Sequence, residues 1–387
     1  MELSSEDLLR LNVLLANDIE AIRIDEGSMT VHGLAGGNEA TIRLSPNCRS
    51  EQYLRRVREM LSSHVLGSPG GYPVFLQRWT RMGQTRDTQL DKLLLLGEPE
   101  AVVAVAGAPG LSDDLARRAW WAMPTADIAR RMLEKESVIQ GKMGKALAAF
   151  LLEYLPFETD PLTIITTVRL MLQPGLLDEA TIQRVFRLST DRNAYHIGFL
   201  EAVPDNLPEP LPAREDYAQH RETLAALAAQ GNTLAAFLAK LLDSPGQTYL
   251  ALSEAQFRYP VDKYTVAALM DTVGNYFRPA RREMEPAKEV GEALALSEQW
   301  VDTANEELAE LLAGVPALKP EIVAMLTLAH TGETWVTPII AVTSATGTLL
   351  RRKLEPVVNP VLQQYAVLRK LAQPQGGTGS RRRGLLK

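Results

Sequence analysis

Apolar positions change period early in this chain. Behind Ser4 or Ser5, either of which can cap a helix, residues 6–15 carry apolar side chains at helical spacing, with Glu6 and Asp7 in the first turn where the helix dipole favours acids. Residues 21–24, 29–34 and 40–44 then alternate apolar and polar, divided by turns at Glu26-Gly27 and Gly36-Gly37-Asn38. This predicts a three-stranded antiparallel meander with one face needing cover. A helix over 50–64, with Tyr53, Leu54, Val57, Met60 and Leu61 on one stripe, is the expected cover. After Gly67, Pro69, Gly70, Gly71 and Pro73, the run 74–79 reads equally as strand or helix entry.

From about 90 to 200 the period is helical, punctuated by prolines, and helix starts are marked by Ser112-Asp113-Asp114, Thr125-Ala126-Asp127, Asp160-Pro161 and Asp178-Glu179. No repeat consensus recurs, so stacked helical hairpins can form either a bundle or an irregular solenoid. Residues 204–212 (PDNLPEPLP) read as a linker, because repeated proline keeps the chain extended. Beyond it, 213–242 is Ala/Leu-rich with helical periodicity, and helices are expected at 253–257 and 262–276. A long acidic helix is expected over 283–312. The apolar run 334–350 reads as a helix closed by Arg351, Arg352 and Lys353, since cations suit a helix C-terminus, with another helix over 357–371. The fold class is therefore mainly α, with a small α+β N-terminal domain containing a short antiparallel meander. The expected domains are 1–86 (α+β), 87–203 (helical), the 204–212 linker, 213–371 (helical) and a disordered basic tail over 372–387.

Composition adds limits. The chain has 387 residues, 46% apolar and 23% charged, enough to bury a large core without staples. Cys48 is its single cysteine, which excludes intramolecular disulfides and cysteine-based zinc or iron–sulfur sites and suits a cytoplasmic location. The acidic N-terminus and the lack of a long apolar run predict neither export nor a membrane span. The net charge is −6, yet residues 349–387 hold nine Lys and Arg against the single acid Glu355, so a basic tail follows an acidic body.

Recognisable catalytic chemistry is sparse. There is no GxGxxG, GxxxxGK[ST] or GxSxG, and His32, His64, His196, His220 and His330 form no metal-binding pair at helical spacing. No cofactor is expected, and the pattern points away from catalysis. His196 beside Tyr195 could form a polar pocket with Asp191 and Arg192, although a lone histidine on an apolar helix fits a satisfied core residue better. Cys48 precedes a helix and adjoins Arg49, both of which favour thiolate, so a persulfide carrier is one reading. The strongest surface signal interleaves cations with aromatics: Arg78, Trp79 and Arg81, then Arg117, Arg118, Trp120 and Trp121. Arginine fits carboxylate and phosphate, and tryptophan anchors interfaces, so this set is the candidate protein-docking face, with nucleic acid as the alternative partner through it and the basic tail. The contrary reading has Trp79, Trp120 and Trp121 fill the inter-domain core while the arginines neutralise acids elsewhere.

The segments LGSPGGYPVFLQRWTRMG, LLLLGEPEAVVAVA, ARRAWWAMPTADIARRMLE and LSTDRNAYHIGFLEAVPDNLP resemble the DsrS family, encoded with the dissimilatory sulfite reductase gene cluster of sulfur-oxidising bacteria, over nearly the whole chain. The resemblance implies a cytoplasmic accessory or regulatory protein of sulfur oxidation that binds a protein of that pathway. It carries no catalytic residues over.

Overall fold

The computed structural model describes residues 3–67, 90–188, 193–281 and 286–371. The chain is mainly α-helical with a small N-terminal sheet, as its periodicity predicts, and it divides into two compact units. Unit 1 comprises residues 1–158 and 173–178, and unit 2 comprises 159–172 and 179–387. The division falls at 159, and the non-helical segment 203–216 lies within unit 2.

Unit 1 opens with α1 (Ser5–Leu15), whose N-cap Ser4 accepts from the Asp7 amide. Strands β1 (Ala21–Asp25), β2 (Thr30–Ala35) and β3 (Asn38–Arg43) follow as an antiparallel meander in the order β1-β2-β3, with Ile22 opposite Gly33 and Val31 opposite Ile42. Both α1 and α2 (Ser50–Leu66) cover it: Leu11 and Leu14 from α1 and Tyr53, Leu54, Val57 and Leu61 from α2 enclose Ile22, Val31 and Leu44. The approach is close enough to need Gly33, where a β-carbon would sit 2.8 Å from a Leu14 methyl. Asp7, fully buried, accepts from the Tyr53 hydroxyl at 2.5 Å and the Ser45 amide at 2.8 Å, so the one acid in this core ties both helices to the end of β3.

Helices Pro99–Gly107, Asp113–Ala122, Ala126–Met132 and Lys142–Tyr154 are the longer helices that follow in unit 1. Ser112 and Thr125 cap as the sequence predicts, accepting from the Leu115 and Ile128 amides. The Asp113 carboxylate reaches across to accept from the amides of Lys142 and Met143 and so caps a second helix. That contact requires Gly141, because a β-carbon there would lie 2.1 Å from the carboxylate.

Unit 2 is a bundle. Its last helix, Gly347–Arg369, packs on Thr233–Leu242, Ser244–Arg258, Val290–Asp302 and Lys319–Leu328, whereas repeats in a solenoid touch only their neighbours. Pro161–Met171 lies against Asn193–Ala202, where Gly198 admits Val168. The buried Arg214 fastens the end of the last helix: its guanidinium pairs with Asp216 at 2.6 Å and Glu321 at 2.8 Å and donates to the Leu368 carbonyl.

Several boundaries differ from the expected ones. The run 213–242 is two helices, Tyr217–Ala229 and Thr233–Leu242, parted at Gly231, whose φ of 97° suits glycine, with Asn232 capping the second. The single acidic helix expected over 283–312 is instead Val290–Asp302 and Glu306–Gly314, because Asn305 takes an extended conformation and accepts from the Leu308 amide to start a new helix. The expected helix over 334–350 is also absent. A short helix, Thr337–Ile340, is followed by irregular chain, and Arg351, Arg352 and Lys353 lie near the start of Gly347–Arg369, not at a helix end. That helix continues through Pro356 and Pro360 because Leu350, Leu354, Val358, Val361, Tyr365 and Leu368 form one unbroken buried stripe. The run 74–79 and the tail 372–387 lie outside the described residues.

Candidate functional site

Four residues of the sequence-predicted face can be placed, and all four are engaged within unit 1. Arg117 donates to Glu20 at 2.7 Å and to Asp114 at 3.0 Å, and Arg118 pairs with Asp114. Trp120 meets Phe150 edge-on at 4.8 Å between ring centres. Trp121 donates its indole N–H to Glu39 at 3.3 Å and carries the Arg23 guanidinium 5.0 Å above its ring, while Arg23 also pairs with Glu39. Acids therefore neutralise both arginines, while Trp120 and Trp121 are half-buried and do not belong to the buried core. Arg78, Trp79 and Arg81 lie outside the described residues.

Cys48 is half-buried at the edge of the N-terminal core, with Sγ 3.7 Å from the Arg49 carbonyl, and Arg49 stands between it and the first residue of α2. Among the described residues, no group of three or more His, Cys, Asp or Glu could hold a metal ion, and no single helix is long and apolar enough to cross a membrane.

Unit 2 contains a cleft of about 1090 Å³, slightly larger than most ligand sites. Its floor is one face of Ser244–Arg258, where Thr248, Ala251, Leu252, Ala255 and Gln256 recur at helical spacing and the two alanines supply the depth. Three hydrogen bonds brace the walls. The Leu211 amide donates to Thr248 Oγ1 at 2.9 Å, Asn193 Nδ2 donates to the Tyr259 carbonyl at 2.9 Å, and the Gly347 amide donates to the Val261 carbonyl at 3.0 Å. Glu209, between two prolines, holds a left-handed φ of 58° and faces Arg187 at 3.9 Å. Strain of this kind persists where the surrounding structure enforces it.

His196 lines the cleft, meeting the Phe186 ring at 5.4 Å and bonding to Gln256; burial pushes its pKa below the ordinary value, so it is neutral near pH 7. It is therefore a satisfied wall residue, and Asp191 and Arg192, expected beside it, lie outside the described residues.

The rim sets the cleft apart. Tyr259 is 62% exposed and Val261 52% exposed, and Leu211 joins them on the lining, while exposed Leu188 and Leu349 directly follow lining residues. At one end Arg351 lies 5.0 Å from the Tyr259 ring, and among the described residues it makes no ion pair or hydrogen bond. The sequence reading missed this site because five separate stretches build it. The Tyr259-Pro260-Val261 step, apolar residues at the helix-breaking end of a capped helix, was its one local signal.

Comparison with protein-family models, with curated proteins and with solved structures finds no match to this chain.

Proposed function

We propose that this chain is a cytoplasmic binding protein, accessory or regulatory to dissimilatory sulfur oxidation, that docks a segment of a protein partner in the cleft of unit 2. One observation carries the docking: three exposed large apolar side chains of unit 2, Leu211, Tyr259 and Val261, lie together on the lining of its cleft. Contiguous exposed apolar surface rimmed by polar groups marks interaction sites, and tyrosine is a common anchor there. The pathway follows from the DsrS resemblance alone.

The test is retention of partner proteins on the immobilised chain from sulfur-oxidising cells. Tyr259→Ala combined with Val261→Asp should reduce retention at least tenfold while leaving the circular-dichroism spectrum unchanged, and Arg117→Glu combined with Arg118→Glu should spare it. The reverse ranking would return the docking face to unit 1.

A further inference from the structure

The preceding reading leaves the chemistry of the docked segment open, and one side chain narrows it. Arg351 is a cation on the cleft wall with its guanidinium beside the Tyr259 ring, and its Nε is buried without a hydrogen-bond partner. The other cation on the cleft lining does not share this condition, since Arg187 faces Glu209 at 3.9 Å. Glu355 stands one turn further along the helix from Arg351, whose Nε still has no hydrogen-bond partner. The local field adds to the demand for negative charge. Arg351, Arg352 and Lys353 follow one another in the second turn of Gly347–Arg369, whose first turn holds no acid and whose N-cap, Thr346, makes no side-chain cap bond. Cations near the positive end of a helix repel it, and an anion arriving there relieves both charges.

Resting on the docking reading, we infer that the partner segment presents a carboxylate to Arg351, flanked by apolar side chains that fill the alanine-floored cleft. The segment is acidic and apolar, not basic. Guanidinium and carboxylate form two parallel hydrogen bonds, and the Tyr259 face holds the guanidinium plane in place for them. An apolar floor excludes water from the pair, which strengthens it relative to a surface ion pair.

The experiment is selection of a random peptide library on the full-length chain, with the Tyr259→Ala/Val261→Asp variant as counter-selector, followed by affinity measurement of the enriched peptides. The expected peptides carry Asp, Glu or a free C-terminal carboxylate next to large apolar residues. Their affinity should fall tenfold or more with Arg351→Gln, recover substantially with Arg351→Lys, and weaken as salt rises. Enriched peptides that are neutral or basic, or that bind Arg351→Gln as well as the parent, overturn this inference but leave the docking cleft standing. Failure to enrich any peptide against the counter-selector overturns the docking reading itself. If Arg351→Gln unfolds the chain, charge-neutral analogues of the acidic peptides give the same comparison on the unaltered protein.

Discussion

Among the described residues, Arg23 and Arg351 each lie 5.0 Å from an aromatic ring, and they differ in counter-charge. In unit 1, Arg23 over Trp121 is closed by Glu39, which also accepts from the Trp121 indole and lies 2.5 Å from His32 Nδ1. Cation, ring and acid complete one another. In unit 2, Arg351 beside Tyr259 has no acid, and the ring is exposed on the rim of a cleft. The stacking geometry is common to both, so the carboxylate makes the difference. Cation–aromatic interleaving in a sequence marks stacking, and only the acid nearby shows whether the cation is already paired.

The largest expected effect comes from Arg214, which fastens the helix that carries Arg351. Arg214→Met leaves the buried Glu321 without its cation and Asp216 with Lys370 alone, and should cost about 3–5 kcal/mol in unit 2, the range for breaking a buried pair. Hydrogen exchange should rise across Gly347–Arg369 and leave β1–β3 unchanged.

Acidification comes next. Burial lowers the pKa of both His196 and His330, so the unfolded chain takes up protons first as pH falls. Their contribution to stability is complete above the ordinary histidine value near 6.5 and is lost as pH falls through the lowered folded values. His330 is the tighter case: it is fully buried, accepts from the Ala287 amide at 2.9 Å through Nδ1, and faces Arg281 as a nearby cation. Thermal unfolding of unit 2 should therefore move to lower temperature between pH 7.5 and pH 5.5, and an unmoved transition would contradict the neutral, buried state of the two rings.

Smaller effects separate the two arginines directly. Glu39→Gln removes the acid that closes the Arg23–Trp121 pair and should cost unit 1 about 1 kcal/mol, kept modest because both charges are partly solvated. Arg351→Gln should leave stability within about 0.5 kcal/mol, since no ion pair or hydrogen bond is lost. Urea denaturation of both variants checks the contrast, and equal losses would erase it.

Much of the fold was legible because its local signals agree. The switch of period after residue 20, the turns at Glu26-Gly27 and Gly36-Gly37 and the stripe on α2 all place the same small α+β layer. Legibility failed where one local rule met a stronger tertiary term. Two helices were expected, over 334–350 and 357–371, yet the stripe from Leu350 to Leu368 carries one helix through Pro356 as well as Pro360. Arg351, Arg352 and Lys353 suggested a helix C-terminus, but they stand near an N-terminus, and that misfit with the dipole is now part of the case for an anion. Of the candidate site, the residue types at 117–121 were visible and Asp114 stands at helical spacing from Arg117 and Arg118, but the other acids, Glu20 and Glu39, come from the sheet region and could not be assigned from spacing. The cleft was illegible for the same reason, since residues 187, 211, 259 and 351 meet only through the bundle.

The most direct test of the account is photo-crosslinking in living sulfur-oxidising cells, with a benzophenone amino acid at position 259 and, in a second protein, at position 117. The account predicts a crosslink from 259 to one partner protein, mapping to an apolar segment that contains an acid, abolished by Val261→Asp, with no such product from 117. Crosslinking of the same partner from 117 but not from 259 would contradict it and place the docking face in unit 1.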